Sequence, residues 1–155
     1  MKKLDIEDIP IFSGLDRGEL DRLTTKLGEC SFKSEDIILR EGKIEEGKAR
    51  YMYIIQKGAA EVLKEDWAMN QIRVNVLKKG DFFGEMSLID NQARSATVRA
   101  LSDITLYSLS HKDLEGILSQ VEYAKVILNI GGEIAIRMGG SFLRMADLLK
   151  EYQLD

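Results

Sequence analysis

The middle of this chain, residues 31–110, limits its possible folds more than any other part. Short alternating runs of apolar residues are separated there by glycine turns. The strand candidates are residues 37–39, 51–55, 60–63, 72–76, 96–100 and 104–109. Many short strands at regular spacing are typical of a β-sandwich or a β-barrel. We therefore predict a mainly β fold.

Helical patterns flank this β section on both sides. Residues 16–19 have the form of a capping box, and leucines follow at helical spacing as far as residue 27. Residues 110–113 repeat the capping-box form at the other end of the β section. At 155 residues the chain is long enough for one hydrophobic core, so we expect a single domain. Its expected parts are an N-terminal helical segment (1–30), a β-barrel (31–110) and C-terminal helices (111–155).

Small and apolar residues recur at alternating steps of three and four along the last third of the chain. This stripe comprises Val121, Ala124, Leu128, Gly131, Ala135, Met138, Phe142, Met145, Leu149 and Tyr152. Such spacing is typical of a coiled coil, so we predict a C-terminal helix that forms a homodimer. A second apolar set, Ile127, Ile130 and Ile134, could face the barrel. In the alternative, one or two helices pack wholly on that barrel, and the glycine pairs at 131–132 and 139–140 mark a break.

Charge and hydropathy exclude several classes of protein. The net charge is -4, whereas a general nucleic-acid-binding surface needs clustered Lys and Arg. The chain has no apolar run long enough for a membrane span, and its first residues lack the apolar core of a signal peptide. We therefore expect a cytoplasmic protein that binds neither nucleic acid nor a membrane.

The chain contains one cysteine, Cys30, and one histidine, His111. One cysteine excludes an internal disulfide, and we interpret it as a small buried hydrophobe. One histidine cannot build the His-rich metal site of a cupin enzyme, whose fold is similar. No Ser/His/Asp or Cys/His catalytic set can be built from these residues either. We therefore predict a non-enzymatic protein without catalytic residues, metal or cofactor.

Trp67 lies between two strand candidates, in an apparent hairpin loop. A tryptophan in such a loop more often packs against the sheet than serves a partner. We expect Trp67 to fold back onto the sheet, and the alternative is a contact point for another molecule.

The strongest functional signal is FGEMSLIDNQARSATV, residues 83–98. It begins with a glycine turn and a carboxylate, Gly84 and Glu85, and it ends with Arg94 at the head of an alternating strand. Glycine lets backbone N–H groups approach a ligand closely, and the N–H groups that open a short helix attract an anion. Arginine suits phosphate oxygens, and a carboxylate accepts hydrogen bonds from sugar hydroxyls. The stretch could therefore hold a sugar phosphate at both ends.

This stretch closely resembles the phosphate-binding cassette of cyclic nucleotide-binding domains. The family pattern is F-G-E, an apolar residue, a small residue, L, five variable residues and R-[STA]-A-[TSW]-V, and every fixed position is filled here. Residues 10–15, 40–42 and 54–58 also match phrases of that family. The resemblance implies an eight-stranded, jelly-roll-like barrel (a double-stranded β-helix) with an N-terminal helix and long C-terminal helices.

The resemblance also implies roles for individual residues. Glu85 would hold the ribose 2′-hydroxyl, and Arg94 would clamp the cyclic phosphate. Backbone N–H groups would complete the cradle near Gly84, Met86, Ser87, Ser95 and Ala96. Asn91 and Ala93 stand where the family usually has Gly and Pro, and Asn tolerates the left-handed conformation that Gly adopts. In the alternative, Glu85 and Arg94 pair with each other across an empty pocket.

The function that the resemblance implies is a regulatory sensor of cyclic AMP or cyclic GMP, with cyclic AMP favoured on family frequency alone. Leu88 would couple the cassette to the C-terminal helices, and Phe142, Arg144 or Met145 could cap the base. Neither the helix-turn-helix of catabolite activator proteins nor the second sensor domain of protein kinase A regulatory subunits is recognisable. We therefore expect a stand-alone sensor that acts on an unknown effector protein. The alternatives are a ligand-free scaffold of the same fold and a sensor fragment of a larger channel, kinase or transcription factor.

Overall fold

The computed structural model describes residues 5–44, 50–85 and 93–151, with side chains as far as residue 136. Within these residues, two short 3-10 turns, three α-helices and eight β-strands follow one another along the chain. In chain order they are the turns Ile6–Asp8 and Pro10–Phe12, α1 (Arg17–Lys26), β1 (Gly28–Phe32), β2 (Ile37–Leu39), β3 (Tyr51–Lys57), β4 (Ala60–Glu65), β5 (Gln71–Leu77), β6 (Phe82–Phe83), β7 (Thr97–Ala100), β8 (Ile104–Ser110), α2 (His111–Ile117) and α3 (Gln120–Glu151).

The strands form two antiparallel four-stranded sheets. One sheet has the order β1-β8-β3-β6, and the other has the order β2-β7-β4-β5. Neighbouring strands in each sheet are mostly distant in sequence, which is the topology of a jelly-roll barrel. The predicted mainly β, jelly-roll-like fold with flanking helices is confirmed.

All the strand candidates are confirmed, with bounds that differ by up to two residues. The β section begins earlier than the predicted residue 31, because Gly28 already pairs with Ser108 in the register that continues to Phe32. A Cβ atom at Gly28 would overlap the Ser108 hydroxyl group, so glycine permits this close pairing. The two-residue strand β6 had no periodic signal because it is too short to show one.

Two clusters of buried side chains hold the barrel and its helices together. One lies between the sheets and includes Ile55, Phe83 and Leu106. The other packs the helices on the barrel and includes Met52 and Leu109 of the sheet. Further members of the second cluster come from the N-terminal turns, α1, α2 and α3: Ile11, Phe12, Leu23, Leu114, Val126 and Ile130. The helical parts are thereby anchored to the sheet that contains β3, β6 and β8.

The predicted helix starts at both ends of the β section are confirmed. Asp16 and Glu19 form a reciprocal capping box: the Asp16 carboxylate accepts from Glu19 N at 2.8 Å, and the Glu19 carboxylate accepts from Asp16 N at 2.9 Å. Ser110 caps α2 by accepting from Asp113 N at 3.0 Å. Side-chain oxygens at these positions satisfy N–H groups that have no partner within the helix.

Helix α3 runs unbroken from Gln120 to Glu151, so neither glycine pair interrupts it. The second apolar set packs inward as predicted, with Ile130 fully buried and Ile127 and Ile134 partly buried against the same cluster. The described members of the stripe, from Val121 to Ala135, are all exposed, and Leu128 is 75% exposed. The stripe residues from Met138 onward lie outside the described side chains. None of the helices in the described part combines the length and apolarity that a membrane span requires.

The expectation for Trp67 is wrong, because its side chain is fully exposed. The turn between β4 and β5 is closed by Asp66, whose carboxylate accepts from Ala68 N and Asn70 N at 2.9 Å each. The Asp66 N–H also donates to Asn70 O at 2.9 Å. These bonds close the turn at its base, so its central residues extend beyond the sheet and Met69 is exposed as well.

Candidate functional site

Strand β6 fixes the start of the cassette in the barrel wall. Phe83 pairs with Tyr53 of β3, and the two rings stack with centroids 5.4 Å apart. Phe83 is buried among residues of both sheets. Because aromatic cross-strand pairs stabilise a sheet, this contact fixes the point at which the chain enters the turn at Gly84.

Gly84 occupies a position that only glycine fits well. Its φ angle is +74°, in the left-handed region that residues with a Cβ atom rarely adopt. A Cβ atom here would also lie 3.1 Å from Nη1 of Arg94 and 3.2 Å from the Tyr51 carbonyl oxygen. Glycine therefore provides the turn and the space that the Arg94 side chain occupies.

The half-buried Arg94 side chain links three segments of the barrel. Its Nη1 donates to the Gly84 carbonyl at 3.3 Å, and its Nη2 donates to the Tyr51 carbonyl at 3.2 Å. The first contact joins the two ends of the cassette, and the second joins the cassette to the start of β3. The structure therefore brings Gly84 and Arg94 together, as the sequence predicted for two parts of one site.

The backbone of Arg94 is held as firmly as its side chain. Its N–H donates to the Lys43 carbonyl at 3.0 Å, and its carbonyl accepts from the Gly42 N–H at 2.8 Å. The Arg-Glu-Gly phrase at residues 40–42, which resembles the family, therefore supports the arginine directly. Gly42 has a φ angle of +80°, consistent with a tight turn at this point.

Glu85 follows Gly84 directly and is half-buried. Among the described contacts, no ion pair joins Glu85 to Arg94. Met86 and Ser87, as well as Leu88 and Asn91, lie outside the described residues. Ser95 is exposed and Ala96 is half-buried at the other end of the cassette.

The turn that follows Arg94 is attached to the end of β4. The Lys64 ammonium donates to the Ser95 carbonyl, and it lies 3.1 Å from Oε1 of Glu41. Oε2 of Glu41 accepts from the Glu65 N–H at 3.0 Å. This backbone hydrogen bond and the neighbouring Lys64 ammonium hold the pKa of Glu41 below its usual range. Glu41 is therefore a charged partner for Lys64 at neutral pH.

Sequence reasoning did not identify Tyr51, Lys64 or Glu41 as parts of this site. Tyr51 and Lys64 are separated from their cassette partners by 43 and 31 residues. Their contacts depend on how β3 and β4 pair with other strands, and no local pattern encodes that pairing. In the sequence, Glu41 is recognisable only as one of residues 40–42, which resemble the family, and that resemblance assigns it no role.

The remaining predictions about the site concern the base and metal ions. Phe142, Arg144 and Met145, the candidates for capping the base, lie outside the described side chains. Within the described part of the chain, His, Cys, Asp and Glu side chains form no group of three that could hold a metal ion.

The described strands thus form an eight-stranded barrel that carries a glycine turn and an arginine at one point of its wall. The family model described as "Cyclic nucleotide-binding domain" matches residues 29–121, well over half of the chain. The chain belongs to this family. The match includes the whole cassette and most of the barrel.

Two relatives and one solved structure illustrate the similarity. The cAMP-dependent protein kinase regulatory subunit of Blastocladiella emersonii is 30% identical over 113 residues, which are 73% of this chain and 27% of that protein. The cGMP-dependent protein kinase of Toxoplasma gondii is 40% identical over 92 residues, which are 59% of this chain and 8% of that protein. The crystal structure of the Thermus thermophilus catabolite activator protein matches with a TM-score of 0.73 and 25% identity, over 91% of this chain and 63% of that one. The chain thus spans about a quarter of the length of the regulatory subunits that it matches.

Proposed function

We propose that this chain is a regulatory module that binds a cyclic nucleotide, with cyclic AMP as the favoured ligand. The observation that carries the proposal is the contact between Arg94 and the glycine turn at Gly84, which places a guanidinium against a close-packed backbone turn that only glycine fits well. A cyclic phosphate needs a cation and backbone donors at close range. The module binds without making or breaking covalent bonds, and we propose no enzymatic activity for it.

Each cassette residue has a place in this proposal. The phosphate lies against Arg94 and the N–H groups of Ser95 and Ala96. The N–H groups near Gly84, Met86 and Ser87 complete the cradle, and Glu85 accepts hydrogen bonds from the ribose 2′-hydroxyl. Support for Glu85 comes from its half-buried position directly after the turn.

The preference between adenine and guanine is a separate question from the phosphate site. Relatives of the chain include protein kinases named for cyclic AMP and for cyclic GMP. Ser95 is exposed, so its hydroxyl could contact a guanine amino group, yet serine is compatible with an adenine ligand too. Competition between the two nucleotides decides the point, and tighter binding of cyclic GMP would overturn the preference.

We propose that binding is transmitted to α3. Val126 and Ile130 of α3 are fully buried, and the Asn129 amide donates to the Ile11 and Ser13 carbonyls at 3.1 and 2.7 Å. A change in the cassette, passed on through Leu88, would alter how α3 packs and which face it presents to an effector protein. The ligand can shift this equilibrium only through its different affinities for the two states.

We also propose that two copies of the chain associate through α3. The described residues of the stripe are exposed, and they combine apolar and small side chains that let two helices approach closely. The residues of the second apolar set pack on the barrel, so the described part of the stripe, up to Ala135, is available to another chain. A second copy carries the same stripe and forms a symmetric interface with it.

Replacing Leu128 with glutamate is expected to convert the dimer into a monomer. The substitution places two like charges in an apolar interface, where each would lose its hydration. Light scattering after size-exclusion chromatography measures the mass. Ile72→Glu, on β5, is the control, because Ile72 is also an exposed apolar residue and lies on the barrel. A monomeric wild-type chain, or a Leu128→Glu chain that remains dimeric, would contradict the interface.

Glu85→Gln is expected to weaken cyclic AMP binding by about tenfold or more, because hydrogen bonds to charged groups contribute on the order of 1.5–3 kcal/mol. The role of Glu85 is best measured against 2′-deoxy cyclic AMP, which lacks the hydroxyl. The wild type should prefer cyclic AMP to the deoxy analogue, and Glu85→Gln should discriminate much less. Glu115→Gln, an exposed position on α2, serves as the control. Equal discrimination by both proteins would exclude the ribose contact.

The proposed function is tested by calorimetric titration of the chain with cyclic AMP and then with cyclic GMP. Micromolar or tighter binding of either supports a nucleotide sensor. A folded chain that gives no heat and no thermal shift with either ligand would instead support a ligand-free scaffold. The mass of the native protein, detected with an antibody in its source cells, shows whether this sequence belongs to a larger channel, kinase or transcription factor.

A further inference from the structure

The backbone on both sides of Arg94 is held by contacts that do not involve its guanidinium. On one side, the turn after β2 binds the Arg94 backbone through Gly42 and Lys43. On the other side, the Lys64 ammonium donates to the Ser95 carbonyl. The Ser95–Ala96 peptide is therefore attached to β4, while the backbone of Arg94 is attached to the turn after β2.

Glu41 connects these two attachments. One of its carboxylate oxygens lies 3.1 Å from the Lys64 nitrogen, and the other accepts from the Glu65 N–H at 3.0 Å. The backbone N–H of Glu41 donates to the hydroxyl of buried Thr97 at 2.9 Å. Thr97 is the residue at which β7 begins. Glu41 therefore holds Lys64 toward Ser95 and binds the first residue of β7 at the same time.

The Lys64 contact acts on a peptide of the cassette whose orientation matters for binding a phosphate. The peptide between Ser95 and Ala96 contains both the carbonyl that Lys64 binds and an N–H group of the proposed phosphate cradle. A peptide is planar, so fixing its carbonyl also fixes the direction of its N–H. A site whose donors are already oriented binds more tightly, because less ordering remains to be done when the ligand arrives.

We propose that Lys64, held in place by Glu41, is a positioning residue that orients Arg94 and the Ser95–Ala96 peptide for phosphate binding before the ligand arrives. Its effect on affinity rests on the proposed function of the site. The ordering itself is a property of the ligand-free chain and can be measured separately.

The first test is amide hydrogen exchange of the ligand-free chain and its Lys64→Met variant. Methionine keeps an unbranched side chain of similar length but removes the ammonium. We expect the protected amides of Glu41, Gly42 and Arg94 to exchange about tenfold faster, since local opening governs their protection. Exchange within α1 and the melting temperature should not change. Lys64→Arg should restore protection, and Lys33→Met, which removes an exposed ion pair with Asp103, is the matched control.

The second test is calorimetry of the same variants with cyclic AMP. We expect the dissociation constant to rise by about tenfold for Lys64→Met, the size of effect typical of a lost hydrogen bond to a charged group. Lys64→Arg should stay close to the wild type, and Lys33→Met should not differ from it. Glu41→Gln should weaken binding in the same direction. Combined with Lys64→Met it should add less than the sum of the two effects, because the residues act through one contact.

The outcomes separate this inference from the proposed function. Unchanged local exchange in Lys64→Met overturns the positioning role, even if the wild type binds cyclic AMP. Faster exchange throughout the chain together with a lower melting temperature also overturns it, because Lys64 would then be a general stability residue. A wild-type chain that binds no cyclic nucleotide overturns the proposed function, while the exchange experiment still decides whether Lys64 orders the cassette.

Discussion

Replacing Arg94 with alanine is expected to weaken cyclic AMP binding by roughly 30- to 5,000-fold, the equivalent of about 2–5 kcal/mol for a lost charge pair. The side chain is the cation of the proposed cradle, and its loss leaves the phosphate without a counter-charge in a half-buried site. The same change removes the guanidinium contacts to the Gly84 and Tyr51 carbonyls. Calorimetry at one ionic strength measures the effect, because screening by salt would otherwise change the comparison.

Two controls make the Arg94 result specific. Arg17→Ala removes a guanidinium of the same charge from an exposed position in α1, and it should leave the affinity unchanged. Arg94→Lys keeps the charge without the planar fork and should bind with intermediate affinity. Circular dichroism and the melting temperature show whether Arg94→Ala is still folded. A folded Arg94→Ala chain with wild-type affinity would exclude Arg94 from the site.

Glu61→Gln is expected to destabilise the barrel by about 3 kcal/mol, at the low end of the effect of breaking a buried ion pair. The Glu61 side chain is 3% exposed. Its Oε2 accepts from Arg73 Nε at 2.7 Å, and its Oε1 accepts from Arg99 Nε at 2.7 Å. The carboxylate therefore joins β4 to both of its neighbours, β5 and β7. Both arginines are only partly buried and can regain hydration, which limits the loss.

Chemical and thermal unfolding measure this change. For a chain of this size the melting temperature should fall by roughly 6–12 °C. Glu115→Gln, an exposed carboxylate on α2, is the matched control and should change stability very little. Equal stability of Glu61→Gln and the wild type would show that the buried carboxylate contributes nothing net to the fold.

The same ion pair makes stability depend on pH. Burial by itself raises the pKa of Glu61, but the hydrogen bonds from Arg73 and Arg99 outweigh it and hold the pKa below the ordinary value of 4.5. A carboxyl with a lowered pKa in the folded state stabilises that state above its unfolded pKa. This stabilisation is lost as the pH falls below about 4.5, and Glu61→Gln should lack that part of the acid dependence.

Local patterns predicted the parts of this protein that local geometry decides. The glycine and the arginine of the cassette lie ten residues apart, and the chain between them is short enough to return to its start. The strand candidates follow a period of two, and the residues of α3 that pack on the barrel follow a period near 3.6. The capping box at Asp16 and Glu19 spans a single turn. Each of these features could therefore be read from neighbouring residues.

Other features could not be predicted because they depend on which strands become neighbours. Trp67 is exposed because Asp66 closes its turn, and hydropathy alone favoured the opposite result. No local pattern distinguishes Glu61 from a surface charge of a strand, yet the pairing of β4 with β5 and β7 places it between Arg73 and Arg99. Sequence patterns give no distance between residues that are far apart along the chain.

The amino-acid sequence by itself therefore determined the fold class and the position of the cassette, and it predicted the residues that would meet a cyclic phosphate. Only the tertiary structure decided what supports those residues. Tyr51 accepts a hydrogen bond from the Arg94 guanidinium, and Lys64, paired with Glu41, binds the Ser95–Ala96 peptide. The physical reason is that a turn is specified by the φ and ψ preferences of a few consecutive residues. The contacts of Tyr51 and Lys64 exist only after segments 43 and 31 residues away have been aligned by the registers of two sheets.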